Sequence, residues 1–225
     1  MIVLDTEFSG LNEQLNGMWQ IGAIEFENPM NQFIQEGRID GEDEVEAEAM
    51  KITGMTEIQL RDPKKQSQME LINNFFKWIK SVKVKNIIGQ NPSSDYWFMR
   101  AKSAKYGLHN PRDPRSFPLP YRMFDLHSVA QTVHFRLHGK FLVNEGKSNM
   151  GLGNVLKMVG MEDHRMKLQG SEVVKQGSPH NALEDAKLTA EAFSRLTTGR
   201  NLLPEFSKFT VPSNLIQLNN SAMGK

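Results

Sequence analysis

The 225-residue sequence predicts an α/β domain with a short C-terminal appendage, and three observations carry that expectation. The first is the stretch Ile2-Val3-Leu4-Asp5-Thr6-Glu7, an apolar run that ends in two carboxylates and reads as a buried strand. The second is that further strand-like stretches follow at once, Trp19 to Phe26 and Gln32 to Ile39, so the chain opens as a β-meander. The third is a change of period. Met69, Ile72, Phe76 and Ile79 recur at spacings of three and four, which predicts an amphipathic helix over 66–80.

Between the meander and that helix, residues 36–48 form an acidic segment, and Thr56 is placed to cap a short helix with its body at 57–60. Asn86 to Gly89 is a short buried strand. A serine then caps a helix expected to start near Asp95 and run to Tyr106. Residues 109–121 are rich in proline and arginine and predict a loop without regular structure. An apolar rhythm returns at Met123, with a helix through Val133, and 134–149 reads as a basic, aperiodic loop. Leu152, Val155, Leu156 and Val159 mark another helix, closed by Gly160. In the last helix Asn181 caps, Glu184 completes a capping box, and Ala182, Ala186, Ala190, Phe193 and Leu196 make the buried stripe. The expected division is 1–198 for the domain and 199–225 for a tail that lies across the body or frays.

Composition narrows the chemistry. There is no cysteine, which excludes disulfides, thiolate zinc sites and a cysteine nucleophile. No apolar run is long enough for a membrane span, no leader precedes the first strand, and a soluble cytoplasmic protein is expected. The net charge is only +1, but residues 100–147 are strongly basic, so the loops 109–122 and 134–149 are candidates for contact with a polyanion, a solvated surface being the alternative.

Residues two apart in a strand share a face, so Asp5 and Glu7 stand side by side and repel unless a cation lies between them. Asp95 sits at the start of a helix after a short strand, and Asp185 in the first turn of the last helix. His180, five residues earlier, would lie about 140° away on one continuous helix. Outside the cap, it can fold back over the first turn. Four carboxylates at the ends of elements, with a histidine, predict a site for a hard cation, Mg²⁺ or Mn²⁺.

The order Asp5-Thr6-Glu7, Asn91-Pro92-Ser93-Ser94-Asp95 and His180-Asn181-Ala182-Leu183-Glu184-Asp185 resembles the three motifs of the DEDDh (DnaQ-like) 3′→5′ exonucleases, which include the proofreading subunit of bacterial replicative polymerase. Ile52 to Thr56 resembles that family's Thr-Gly segment. Gln90 stands where the family often has histidine, and Ser94 where it often has an apolar or aromatic residue. The resemblance implies a ribonuclease H-like exonuclease fold, with a mixed central sheet of three antiparallel strands plus shorter ones, flanked by helices. It implies hydrolysis from the 3′ end of single-stranded nucleic acid with two Mg²⁺ ions, for which Mn²⁺ can substitute. Asp5 would bridge both ions, Glu7 and Asp185 would complete the site that holds the attacking water, Asp95 would support the second ion, and His180 would be the general base. Phe8, Leu11, Ile52, Met55 and Asn91 would contact the terminal nucleotides. Two rival expectations share the chemistry: a proofreading subunit docked on a DNA polymerase through the tail, and an RNA-trimming enzyme.

Overall fold

The computed structural model describes residues 1–169 and 172–223. Its centre is a five-stranded sheet built from β1 (Ile2–Phe8), β2 (Met18–Glu25), β3 (Asn28–Glu36), β4 (Ile87–Gly89) and β5 (Phe124–Asp125). The spatial order is β3-β2-β1-β4-β5. The first three strands are antiparallel neighbours, as the meander predicts, while β4 and β5 run parallel to β1. Parallel pairing needs crossover helices. These are α3 (Gln68–Trp78), preceded by the short α1 (Ala47–Thr53) and α2 (Glu57–Leu60), and then α4 (Pro92–Lys105). After β5 come α5 (Leu126–His138), the hairpin β6 (Val143–Asn144) and β7 (Lys147–Ser148), α6 (Leu152–Met158), the hairpin strands β8 (Lys167–Gln169) and β9 (Glu172–Lys175), α7 (Ala182–Thr198) and α8 (Ser213–Met223).

Strand alternation divides the core. Ile2 and Leu4 join Ile21, Leu71, Phe75 and Met99 on the face covered by α3 and α4. Val3 points the other way and joins Leu126, Leu156, Ala186, Ala190 and Phe193 under α5, α6 and α7. The same alternation carries Asp5 and Glu7 to the α7 face and Thr6 to the α4 face. Gly22, paired with Asp5 in the sheet, makes the closest approach to α7 possible. A Cβ there would meet the Ala182 carbonyl carbon and the Leu183 nitrogen at 2.2 Å. The neighbouring Gln20 accepts a hydrogen bond from Ala182 N–H at 2.8 Å, so the start of α7 is held directly on β2.

Several local expectations are revised. Helix α4 begins at Pro92, three residues before Asp95; the residue ahead of it is Asn91, in a left-handed conformation (φ 58°), with no side-chain cap. Pro92 at the first helical position is pre-set for a helix start. The segment 47–53 is helical and stops at Gly54, whose φ of +68° is the conformation glycine adopts most easily. Of the predicted apolar face Ile72, Phe76 and Ile79 are buried, joined by Leu71 and Phe75, while Met69 is exposed; the cap of α3 is a reciprocal Ser67–Glu70 box. The 134–149 stretch is regular at both ends, because α5 continues to His138 and β6–β7 turn through Glu145 and Gly146, both with positive φ. Asn181 caps α7 as expected, but Glu184 pairs with Lys187 and does not complete a box.

The acidic segment is docked. Asp43 and Lys102 form a buried ion pair at 2.8 Å, with Gln68 Nε2 donating to the other Asp43 oxygen at 2.9 Å. Lys105 reaches Asp40 and Glu42. These two lysines belong to the basic half of the sequence, yet their charge is used internally. The tail also packs. Leu203 and Leu215 are buried in the α7 core, and the wholly buried Arg195 donates to Glu191 Oε1 (2.7 Å) and to the carbonyls of Val159, Phe206 and Phe209 (2.9–3.0 Å). Glu191 Oε2 in turn accepts from the N–H groups of Leu202 and Leu203. Among the described residues no helix is long and apolar enough to cross a membrane.

Candidate active site

The end of β1 and the start of α7 supply the nucleus of the site. Glu7, His180 and Asp185 each place a ligand atom within 4.8 Å of the others. His180 N–H donates to Ile52 O at 3.1 Å, which fixes the residue ahead of the helix and folds it back. Its ring then sits with Nδ1 3.2 Å from Asp185 Oδ2 and Nε2 3.1 Å from Met166 O. The five-residue spacing that defeats a continuous helix is thereby accommodated.

Asp95 reaches the site from α4, on the other face of β1. Thr6 Oγ1 donates to its Oδ1 at 2.5 Å, so the residue between the paired carboxylates ties the third one to the strand. Crowding shows in the proton affinities. Burial, and then the charges of Asp185, Asp95 and Glu7, push Asp5 well above the usual carboxylate range. Glu7 is pushed up to about 8 by burial and by Asp185, with His180 partly offsetting. Burial raises Asp95 to about 7 against the hydrogen bond from Thr6. For His180, burial works against the charged form, but the hydrogen bond and charge of Asp185 outweigh it and the ring is raised. These are the marks of carboxylates lacking sufficient positive charge.

One positive charge is present that the sequence did not reveal. Arg165 Nη1 lies 3.2 Å from Asp185 Oδ2, while its Nε donates to Asp163 Oδ1 at 3.0 Å. Arg165 precedes β8, in a stretch without periodicity, and only the local Asp163-x-Arg165 spacing hints that its side chain is oriented. Thr6, which stands inside the Asp5-Thr6-Glu7 motif without an assigned role, and Gln20, which lies outside every motif, are likewise positioning groups.

A cavity of about 250 Å³ adjoins the carboxylates, lined by Glu7, Phe8, Leu11, Ile52, Thr53 and His180 among others. Phe8 is stacked on Phe98 with centroids 3.8 Å apart. Leu11 is 86% exposed at the rim, its backbone N–H held by Glu46 Oε1 at 3.1 Å. Met55 and Asn91 are not brought to this cavity. Met55 packs against Trp19, Ile39 and Leu60. The Asn91 side chain is engaged by Ser93 and Ser94, and its N–H donates to Asp125. The loop 109–122 is anchored through buried Phe117 and Leu119, which leaves Arg115 almost fully exposed.

A mixed sheet with carboxylates at the end of its central strand, completed by the first turn of a helix lying across it, is the arrangement of the ribonuclease H-like fold. Residues 2–193 match the model of the RNase_T exonuclease family, and the chain belongs to that family. No curated protein matches the chain. Similar solved structures include E. coli exonuclease I in complex with a dT13 oligonucleotide, at 18% identity and a TM-score of 0.64, covering 86% of this chain and 40% of that one. The nuclease domain of 3′hExo, a DEDDh family member bound to rAMP, is 14% identical with a TM-score of 0.59 and 94% coverage of both chains. A 3′-exonuclease that recognises the 3′ end of a histone mRNA stem-loop is 13% identical with a TM-score of 0.59, covering 87% of this chain and 62% of that one. The chain thus spans less than two thirds of the exonuclease I and stem-loop nuclease chains. At these identities the similarity is one of fold.

Proposed function

We propose that the protein is a metal-dependent 3′→5′ exonuclease that hydrolyses single-stranded nucleic acid, DNA in preference, and releases nucleoside 5′-monophosphates. The observation that carries the reading is the convergence of four carboxylates with His180 beside an apolar cavity. The donor set fits hard divalent cations. Carboxylates raised as far as Glu7 and Asp95 require added positive charge to stay ionised together at neutral pH, and Arg165 offers only one. Asp5, Glu7, Asp95 and Asp185 would hold two Mg²⁺ ions, or Mn²⁺ in their place. Such ions offset the charge of the phosphodiester oxygens, ease ionisation of water and stabilise the leaving 3′-oxygen.

The chain's own groups do the rest. His180 donates from Nε2 to Met166 O and from Nδ1 to Asp185 Oδ2; with Asp185 engaged by a cation, Nδ1 would be the ring nitrogen free to take the water's proton while Nε2 stays anchored. Thr6 holds Asp95 in place, and Gln20 holds α7, with Asp185, against the sheet. Phe8, Leu11 and Ile52 receive the terminal base by stacking and apolar contact, which reads no sequence.

The proofreading reading would use the tail as a docking peptide. Its apolar anchors Leu203 and Leu215 are already buried in this fold, which favours a free-standing enzyme. The test is a 5′-labelled single strand, as DNA and as RNA, incubated with Mg²⁺ and with chelator. A ladder shortening from the 3′ end only with Mg²⁺ is expected. An intact strand under both conditions refutes the activity, and equal rates on the two polymers refute the DNA preference, since the 2′-hydroxyl is the local difference between them.

A further inference from the structure

Helix α4 presents an exposed face that the terminal-nucleotide cavity does not use. Trp97 lies two residues beyond Asp95 and is 55% exposed, large for a tryptophan on a soluble domain. Trp97, Arg100, Ala101 and Ala104 follow at the spacing of one helix face, over about 10 Å of axis. They line a groove of about 320 Å³ together with Glu13, His109 and other residues. A second hollow, of about 210 Å³, joins that groove to the rim, bounded by Leu11, Ser93, Ser94, Trp97 and Phe98. Leu11 therefore stands between two hollows, the terminal-base cavity on one side and the Trp97 hollow on the other.

We propose that this face of α4 is a track for the bases of the single strand that follow the terminal nucleotides, with Trp97 as a stacking platform and Arg100 as its cation. The inference rests on the exonuclease reading of the site and extends its substrate contacts. Trp97 meets Tyr96 edge to face, with centroids 5.3 Å apart, and still exposes more than half of its surface, and every nucleobase has a face to stack on a ring. The Arg100 guanidinium lies 6.0 Å from the Trp97 ring and 5.6 Å from Phe117, and among the described residues it has no carboxylate partner. One of its nitrogens donates to the Tyr96 hydroxyl at 3.4 Å, a neutral partner that leaves the charge available to a phosphate. Glu13 lines both hollows, and its negative charge disfavours a phosphate beside it, so a base and not the backbone seats against the ring.

His109 supplies a further sign of an unfilled site. It is 7% exposed, and its Nδ1 shares a hydrogen bond of 2.9 Å with Ser103 Oγ. In either tautomer Nε2 is a buried polar atom without a partner, on a residue that lines the groove.

The test compares binding of a 3′-hydroxyl octanucleotide and a dinucleotide of the same terminal sequence, with Ca²⁺ replacing Mg²⁺ to hold back cleavage. The wild type is expected to favour the octamer. Trp97→Ala should shrink that advantage about tenfold, the worth of a stacked base, while Trp97→Phe keeps most of it. Arg100→Gln should lower the slope of log affinity against log salt by about 0.7 for the octamer. An advantage unchanged in Trp97→Ala, in a protein whose wild type degrades the octamer with Mg²⁺, overturns the track and leaves the exonuclease reading standing. A wild type that neither binds nor degrades the octamer overturns both.

Discussion

Removing divalent cations should make the protein's stability fall as pH rises. Glu7 is raised from 4.5 to about 8 in the folded chain and Asp95 from 3.8 to about 7. A carboxyl raised by folding binds its proton more tightly in the native state than in the unfolded one. Its contribution is therefore fully favourable below about pH 4 and is lost as pH climbs to about 8. At about 1.4 kcal/mol per tenfold change in proton affinity, the raised carboxyl Glu7 alone corresponds to about 3–5 kcal/mol between those limits. For a chain of this size 1 kcal/mol moves the melting temperature by about 2–4 °C, so a fall of about 10 °C between pH 5.5 and 8.5 is expected with chelator present. Saturating Mg²⁺ should remove most of that slope, because ionised carboxylates are then the favoured form. Thermal melts across this pH range, with chelator and with Mg²⁺, measure both. A metal-free melting temperature that is flat or rises over the range, or an Mg²⁺ increment independent of pH, would refute the assignment of these carboxylates to a cation site.

Three further outcomes follow from individual contacts. His180→Ala should lower turnover by about 10²–10⁴ while Mg²⁺ still raises the melting temperature; unchanged turnover removes the ring from proton transfer. Leu11→Ala should raise KM for a single strand with little effect on stability, since the side chain is exposed at the cavity rim; an unaltered KM shows that no base touches it. Glu191→Ala leaves the Arg195 guanidinium buried without its carboxylate, and a loss of about 3–5 kcal/mol is expected in denaturant unfolding. A loss under 1 kcal/mol would mean that water reaches the arginine.

Much of the site was legible because local rules governed it. The alternation of β1 put Asp5 and Glu7 on one face, and the Asn181 cap separated His180 from the helix that carries Asp185. The start of α4 was misplaced because serine is a common cap, whereas here Pro92 opens the helix behind a left-handed Asn91. Arg165 was invisible for a different reason. Its partner Asp185 lies 20 residues away and the two meet only when the chain before β8 crosses the start of α7. Glu191 and Arg195 are four residues apart, a spacing shared by exposed ion pairs on many helices, and only the packed tail makes them interior. The docking of Lys102 and Lys105 on the acidic segment shows why charge counts along a chain overstate what is free to meet a ligand.

Gly22 bears no functional group, yet it acts as the spacer of the site. The gap between β2, whose Gly22 pairs with Asp5, and the helix that carries Asp185 is one of main chain against main chain, with a single hydrogen atom where other residues have a methyl. Such a gap has no adjustable part: no rotamer change can widen or narrow it. Helices elsewhere on the domain can shift with their packing and leave the two halves at the same separation, whereas one added carbon at this position would act as a wedge and detune the proposed site without touching any of its carboxylates.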